Sequence, residues 1–201
     1  MTSGQAAQRL YTIGHSTLES EQFITLLMRH GIRTLVDVRH YPASRRLPHF
    51  SQEALAQALA EQGIAYVHLR DLGGRRHQII AGSGNDGWRV AAFRAYADYA
   101  AHSPAYLTAL AHMEALARHS GPTAYMCAEH THLKCHRRII SDYLLARGWD
   151  VQHIQSNGKL EPHVYTTHAH IGDGGHVRYP AIQAGHAQPS EDAAQLAMWS
   201  A

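Results

Sequence analysis

Cysteine and lysine are both scarce in this 201-residue chain. Its two cysteines are Cys127 and Cys135, too few for the disulfide framework that holds small secreted domains together. Of 18 basic residues, all but Lys134 and Lys159 are arginine, the side chain suited to bidentate contacts with phosphate and carboxylate. No apolar run is long enough to span a bilayer, and residues 1–9 lack an apolar leader. A membrane role is therefore not expected. The expected location is the cytoplasm, where a structural disulfide between the two cysteines is not expected either. The net charge of +2 argues against an extended duplex-binding surface.

The chain is 45% hydrophobic and 17% charged, a globular balance with enough length to bury one substantial core. Apolar runs at Leu10–Gly14, Thr34–Val38, Ile64–Leu69, Thr123–Cys127 and Val151–Ile154 predict five strands. Between them lie helical patterns. One carries Phe23, Ile24, Leu27 and Met28, with Ser16-Thr17-Leu18-Glu19 in the form of a capping box and Gly31 at its end. Another is capped by Ser51 and carries Leu55 and Leu59. Two more span roughly 88–101 and 104–119, and a last one spans 136–147. Alternating strands and helices predict a three-layer, Rossmann-like α/β domain over residues 1–155, with a mostly parallel sheet flanked by helices. The Gly-rich stretch from Arg75 to Gly87 predicts a mobile loop. Residues 156–201 predict an extension, with two short strands around Gly172–Gly175 and a short helix after Ser190.

The unusual polar groups follow strands. Gly14-His15-Ser16, Asp37-Val38-Arg39 with Ser44-Arg45-Arg46, Arg70-Asp71-Leu72-Gly73-Gly74, and Cys127-Ala128-Glu129 each come after a predicted strand. In a parallel sheet the strand C-termini share one edge, where ligands bind. These distant segments are therefore expected to meet in one site.

Within it, Cys135 sits just before a helix, where free N–H groups favour a thiolate, and His136 and Arg137 lie beside it. Cys135 with His136 forms a candidate nucleophilic pair. The competing reading makes each cysteine a buried packing residue. Asp37 and Glu129 are candidate acid and base groups, or else partners of Arg39, Arg45 or Arg137 in internal ion pairs. His15, Ser16, Arg39, Ser44, Arg45 and Arg137 are candidates to hold a phosphate-bearing ligand, although Ser16 also suits a plain helix cap. No cofactor is required by these motifs. Cys127, His130, His132 and Cys135 are donor types that suit zinc, yet their C-x2-H-x-H-x2-C spacing follows no zinc module we can justify. A second histidine set, His163, His168, His170 and His176, lies in the extension.

Taken in order, Thr12-Ile13-Gly14-His15-Ser16, Asp37-Val38-Arg39 with Pro42 and Ser44-Arg45, Leu72-Gly73-Gly74, Cys127-Ala128-Glu129, Cys135-His136-Arg137 and His153-Ile154 resemble the domain-of-unknown-function family 488. The resemblance covers about residues 10–155. It implies a compact α/β domain and no particular activity.

The expected function is an enzyme, a hydrolase or lyase acting on a nucleotide or nucleic-acid base, with cleavage of a glycosidic bond by Asp37 and Glu129 as one form. Its partner would be a phosphate-containing small molecule or nucleic acid. The alternatives are a non-catalytic nucleotide or nucleic-acid binding module, and a redox or metal sensor built on the cysteine pair.

Overall fold

A computed structural model of the chain describes residues 8–43 and 45–181. Six strands form one sheet: β1 (Arg9–Gly14), β2 (Thr34–Asp37), β3 (Ala65–His68), β4 (Thr123–Cys127), β5 (Asp150–Ile154) and β6 (Leu160–Pro162). Their order is β3-β2-β4-β1-β5-β6. The first five are parallel, and β6 runs antiparallel against β5. Five helices cover the faces: α1 (Ser20–Arg29), α2 (Gln52–Ala60), α3 (Ala91–His102), α4 (Pro104–His119) and α5 (Arg137–Ala146). This is the expected three-layer α/β architecture.

Strand parity divides the core in two. Every residue of β4 is buried, so its alternate side chains feed opposite layers. Ala124 and Met126 join Ile13 and Leu35 against Phe23 and Leu27 of α1 and Leu55 and Leu59 of α2. Tyr125 and Cys127 join Leu10, Val36 and Val151 against α3, α4 and α5. The connections leaving β1 and β2 run one way across the sheet, and those leaving β3 and β4 run the other. Right-handed crossovers then place α1 and α2 on one face and α3 to α5 on the opposite face. The chain therefore parts above the C-terminal end of β4, the place where such sheets open a crevice.

The first helix begins later than the sequence pattern suggests. His15 N–H donates to Cys127 O at 3.0 Å and Ser16 N–H to Ala128 O at 3.0 Å, so the β1–β4 ladder continues past the strand. Ser16 holds a left-handed φ of 48°. It cannot be the helix cap, a role taken by Glu19 in a reciprocal capping box with Gln22. Met28 of this helix is exposed, and Leu26 is buried.

The stretch after Gly74 is anchored to α3. Buried Asp98 accepts from Ile80 N–H at 2.8 Å and from Asn85 Nδ2 at 2.9 Å. The extension is likewise built into the domain. Strands β7 (His170–Ile171) and β8 (Val177–Arg178) pair around Gly172–Gly175, Tyr179 is buried in the core, and Tyr143 Oη donates to Val177 O at 3.2 Å. The helix expected after Ser190 lies outside the described residues.

Gly14 ends β1 where no side chain fits. A Cβ there would lie 1.7 Å from the Glu129 carbonyl oxygen, so the loop after β4 closes over a bare backbone. Gly14→Ala should destabilise the fold by at least about 3 kcal/mol, the upper range for overpacking. Chemical denaturation would show this as a lowered midpoint.

Candidate functional site

The polar residues that follow the strands meet at the crevice edge, but on two sides of the sheet. Asp37 shares the α2 face of β2. Its carboxylate accepts from Arg39 Nε at 3.0 Å, Arg39 Nη2 at 2.6 Å and Tyr66 Oη at 2.7 Å. Arg39 reaches on with Nη1 toward His15 Nε2 at 3.5 Å. His15 stacks on Phe50 with ring centroids 4.1 Å apart and donates from Nδ1 to Ser16 O at 3.0 Å. Burial, and then the Arg39 guanidinium, bring His15 down to about 4, so the imidazole is neutral near pH 7. These groups satisfy one another and tie three strand ends together. Asp37 sits as the ion-pair partner of Arg39.

The opposite side holds the thiols. Cys127 ends β4 facing α5, and Cys135 precedes α5; the sulfurs lie 2.8 Å apart as free thiols. Arg137, 1% exposed, spans the space above them. Its Nε donates to Cys127 Sγ at 3.1 Å, Nη1 to Thr12 Oγ1 at 3.0 Å, and Nη2 to the carbonyls of Glu129 at 2.9 Å and His130 at 3.2 Å. The Arg137 backbone N–H donates to Cys135 Sγ at 3.4 Å, so the first amide of α5 faces this sulfur. That is the helix-terminus placement expected from the sequence.

His136 completes the group. Its Nε2 lies 2.9 Å from Val38 O and its Nδ1 lies 3.4 Å from Cys135 Sγ. A carbonyl accepts only, so Val38 O fixes the proton on Nε2 and leaves the Nδ1 lone pair facing the thiol. Burial lowers the His136 pKa and keeps the ring neutral. The Leu72-Gly73-Gly74 segment makes room for it: a Cβ at Gly74 would come 3.0 Å from His136 Nδ1. A directed chain results, from Cys127 S–H to Cys135 Sγ to His136 Nδ1, ending at Val38 O.

The two thiols are driven apart electrostatically. Burial pushes Cys135 up, but the Cys127 hydrogen bond and the Arg137 guanidinium outweigh it and bring this thiol down to about 7. Burial, together with the hydrogen bond to Cys135, pushes Cys127 well above the ordinary thiol range. One member of the pair is thus ionisable near neutrality and the other stays protonated.

Other candidates are placed differently. Glu129 is exposed, and its carbonyl, rather than its carboxylate, is bound by Arg137. Arg45 is exposed on the loop after β2, and Ser44 lies outside the described residues. His130 is exposed, while His132 is buried and turned toward β5. The zinc set suggested by spacing therefore separates, with the cysteines together and His132 stacked at 3.5 Å on His153. His153 and His163 lie 3.0 Å apart and both are buried, a pairing outside the expected site. Strand parity held the signal, because His153 shares the face of Val151 and so points into the α5 layer. A shallow depression beside α1, lined by Leu18, Glu21, Gln22 and Ser156, includes none of the thiol-site residues.

The thiol geometry predicts an ultraviolet thiolate titration with a single midpoint near 7 in the folded protein, equivalent to one sulfur. Arg137→Lys keeps a charge but loses the fork, and should raise that midpoint by about one unit. Two coincident transitions at ordinary thiol pH would contradict the assignment.

Comparison with known proteins gives one match. The family described as "Domain of unknown function DUF488" matches residues 19–144, more than half of the chain. No curated protein and no solved structure matches the chain. The matched span holds Asp37, Arg39, Gly73, Gly74, both cysteines, His136 and Arg137, and on that match the chain belongs to the DUF488 family.

Proposed function

We propose that this protein is a cysteine-based redox protein whose working couple is the Cys127–Cys135 pair. One observation carries the reading: two free sulfurs 2.8 Å apart, one lowered toward pH 7 and the other held protonated. An ionised thiol beside a protonated partner is the arrangement that oxidation chemistry uses. Toward a peroxide, the Cys135 thiolate attacks one oxygen, the O–O bond breaks, hydroxide leaves and Cys135 becomes a sulfenic acid. Cys127 sulfur then attacks the sulfenic sulfur. The S–S bond forms, the S–O bond breaks, and the oxygen leaves as water with the Cys127 proton. An external dithiol restores the pair by exchange. With exposures of 1% and 3% for the two cysteines, the site favours an oxidant as small as a peroxide.

The reading of the protein as a hydrolase or lyase rests on the His136 contact. A thiol, a base 3.4 Å away and a carbonyl orienting that base at 2.9 Å form a nucleophile, base and positioning group. In that reading Cys135 attacks a substrate, His136 takes its proton, and Glu129 at the exposed rim is the acid candidate. The phosphate-binding part has less support, because the Arg39 and Arg137 guanidiniums are engaged inside the protein. Arg45 is the exposed one of the three.

Cys127 separates the two mechanisms, since only redox cycling needs its sulfur to form a bond. Treating the reduced protein with stoichiometric hydrogen peroxide should remove both free thiols of one chain together. Mass spectrometry should find a Cys127–Cys135 disulfide reversed by a dithiol. Cys127→Ser should instead accumulate oxygen adducts on Cys135. If peroxide leaves the thiols free, or yields only adducts in the parent protein, the redox reading fails.

A further inference from the structure

We infer that His132, His153 and His163 form a binding site for one zinc-type divalent transition-metal ion, distinct from the thiol pair. Among the described residues these three side chains each offer one ligand nitrogen, and the three atoms lie within 4.8 Å of one another. All three residues are buried, at 9%, 2% and 7% exposure.

The hydrogen-bond pattern around His163 prepares a lone pair for a metal. Its Nε2 lies 2.9 Å from Asp142 Oδ1. Asp142 also accepts from Thr166 N–H at 3.0 Å, Thr166 Oγ1 at 2.7 Å and Tyr179 Oη at 2.8 Å, all within the core. A carboxylate held by so many donors fixes the imidazole proton on Nε2 and leaves Nδ1 bare. A carboxylate behind a histidine is the outer support that metal-ligating imidazoles carry.

That bare Nδ1 faces His153 Nε2 at 3.0 Å. Two imidazole nitrogens that share one zinc ion, each at about 2.0–2.1 Å, stand about 3.3 Å apart in tetrahedral geometry. The observed pair is already near that spacing. His153 Nδ1, fully buried, makes no hydrogen bond among the described residues. His132 is stacked on His153 with the planes 3° apart, and its ring must tilt out of that stack to bring its nitrogen to the same ion. Three imidazoles match zinc-like ions of borderline softness, and leave one position open.

The three ligands come from separate segments: the loop between the cysteines, the inner face of β5, and the chain just past β6. An ion here would clamp the extension and the cysteine loop to the sheet. Cys135 N–H already donates to His132 O at 3.1 Å, so the metal would help position the thiol without touching it. The inference does not depend on the redox reading.

Cobalt(II) titration of full-length protein, first dialysed against a chelator, tests the site. One equivalent should bind with the visible ligand-field bands of a nitrogen-ligated, low-coordinate ion, without a near-ultraviolet thiolate charge-transfer band, and zinc should displace it. His132→Ala and His163→Ala, with folding checked by circular dichroism, should each weaken binding by at least about tenfold, while Cys127→Ser should not. A strong thiolate charge-transfer band would assign the metal to the cysteines and overturn the inference. So would absence of saturable binding, a signal that requires no variant to fold.

Discussion

The buried Arg137 guanidinium is the constraint on which the rest of the site depends. It lies at the start of α5 and reaches a thiol on β4, a hydroxyl on β1 and two carbonyls of the loop between the cysteines. A charge taken out of water costs several kcal/mol unless every donor finds a partner. Here that requirement fixes the geometry. The loop after β4 must fold back so that Glu129 and His130 present their carbonyls, and Gly14 must lack a side chain so that the loop can close. The same closure brings Cys135 to within hydrogen-bond distance of Cys127.

The chemistry follows from that packing. A cation beside two sulfurs favours one thiolate, and the directional contacts choose which. Cys135 receives the Arg137 amide and the Cys127 hydrogen bond, while the His136 lone pair stands ready to take its proton. Val38, the residue after β2, sets the tautomer of His136 through its carbonyl. The sheet order makes this possible, because β2 and β1 are the two neighbours of β4. On the other face, Asp37, Arg39 and His15 bind the same strand ends together without contributing a free acid or base.

Much of the frame was legible in the chain. Thr123–Cys127 and Thr34–Asp37 are short, apolar or β-branched, and bounded by turns, so they read as buried parallel strands. The convergence of polar groups after the strands was also legible, because parallel strands share a C-terminal edge. Which face each group takes was not. Parity assigns Asp37 and Val38 to opposite faces of β2, but only the strand order shows that Val38 then meets His136 across β4. Arg137 reads in sequence as an anion-binding group, since nothing local reveals that its partners are a strand 125 residues away and the preceding loop. Ser16 reads as a cap, because the sequence does not show that its amide is spent on Ala128. The pairing of His153 with His163 depends on the antiparallel β6, three residues that carry little strand signal.

As a redox pair, Cys127 and Cys135 should act as one reversible two-electron couple. The most direct measurement is equilibration of the protein across a series of dithiol and disulfide buffer ratios, with free thiols counted after acid quenching. A single reversible transition is expected, in which both thiols of the chain disappear together, and which Cys127→Ser abolishes. Two thiols persisting at every ratio, or vanishing in separate steps, would contradict it.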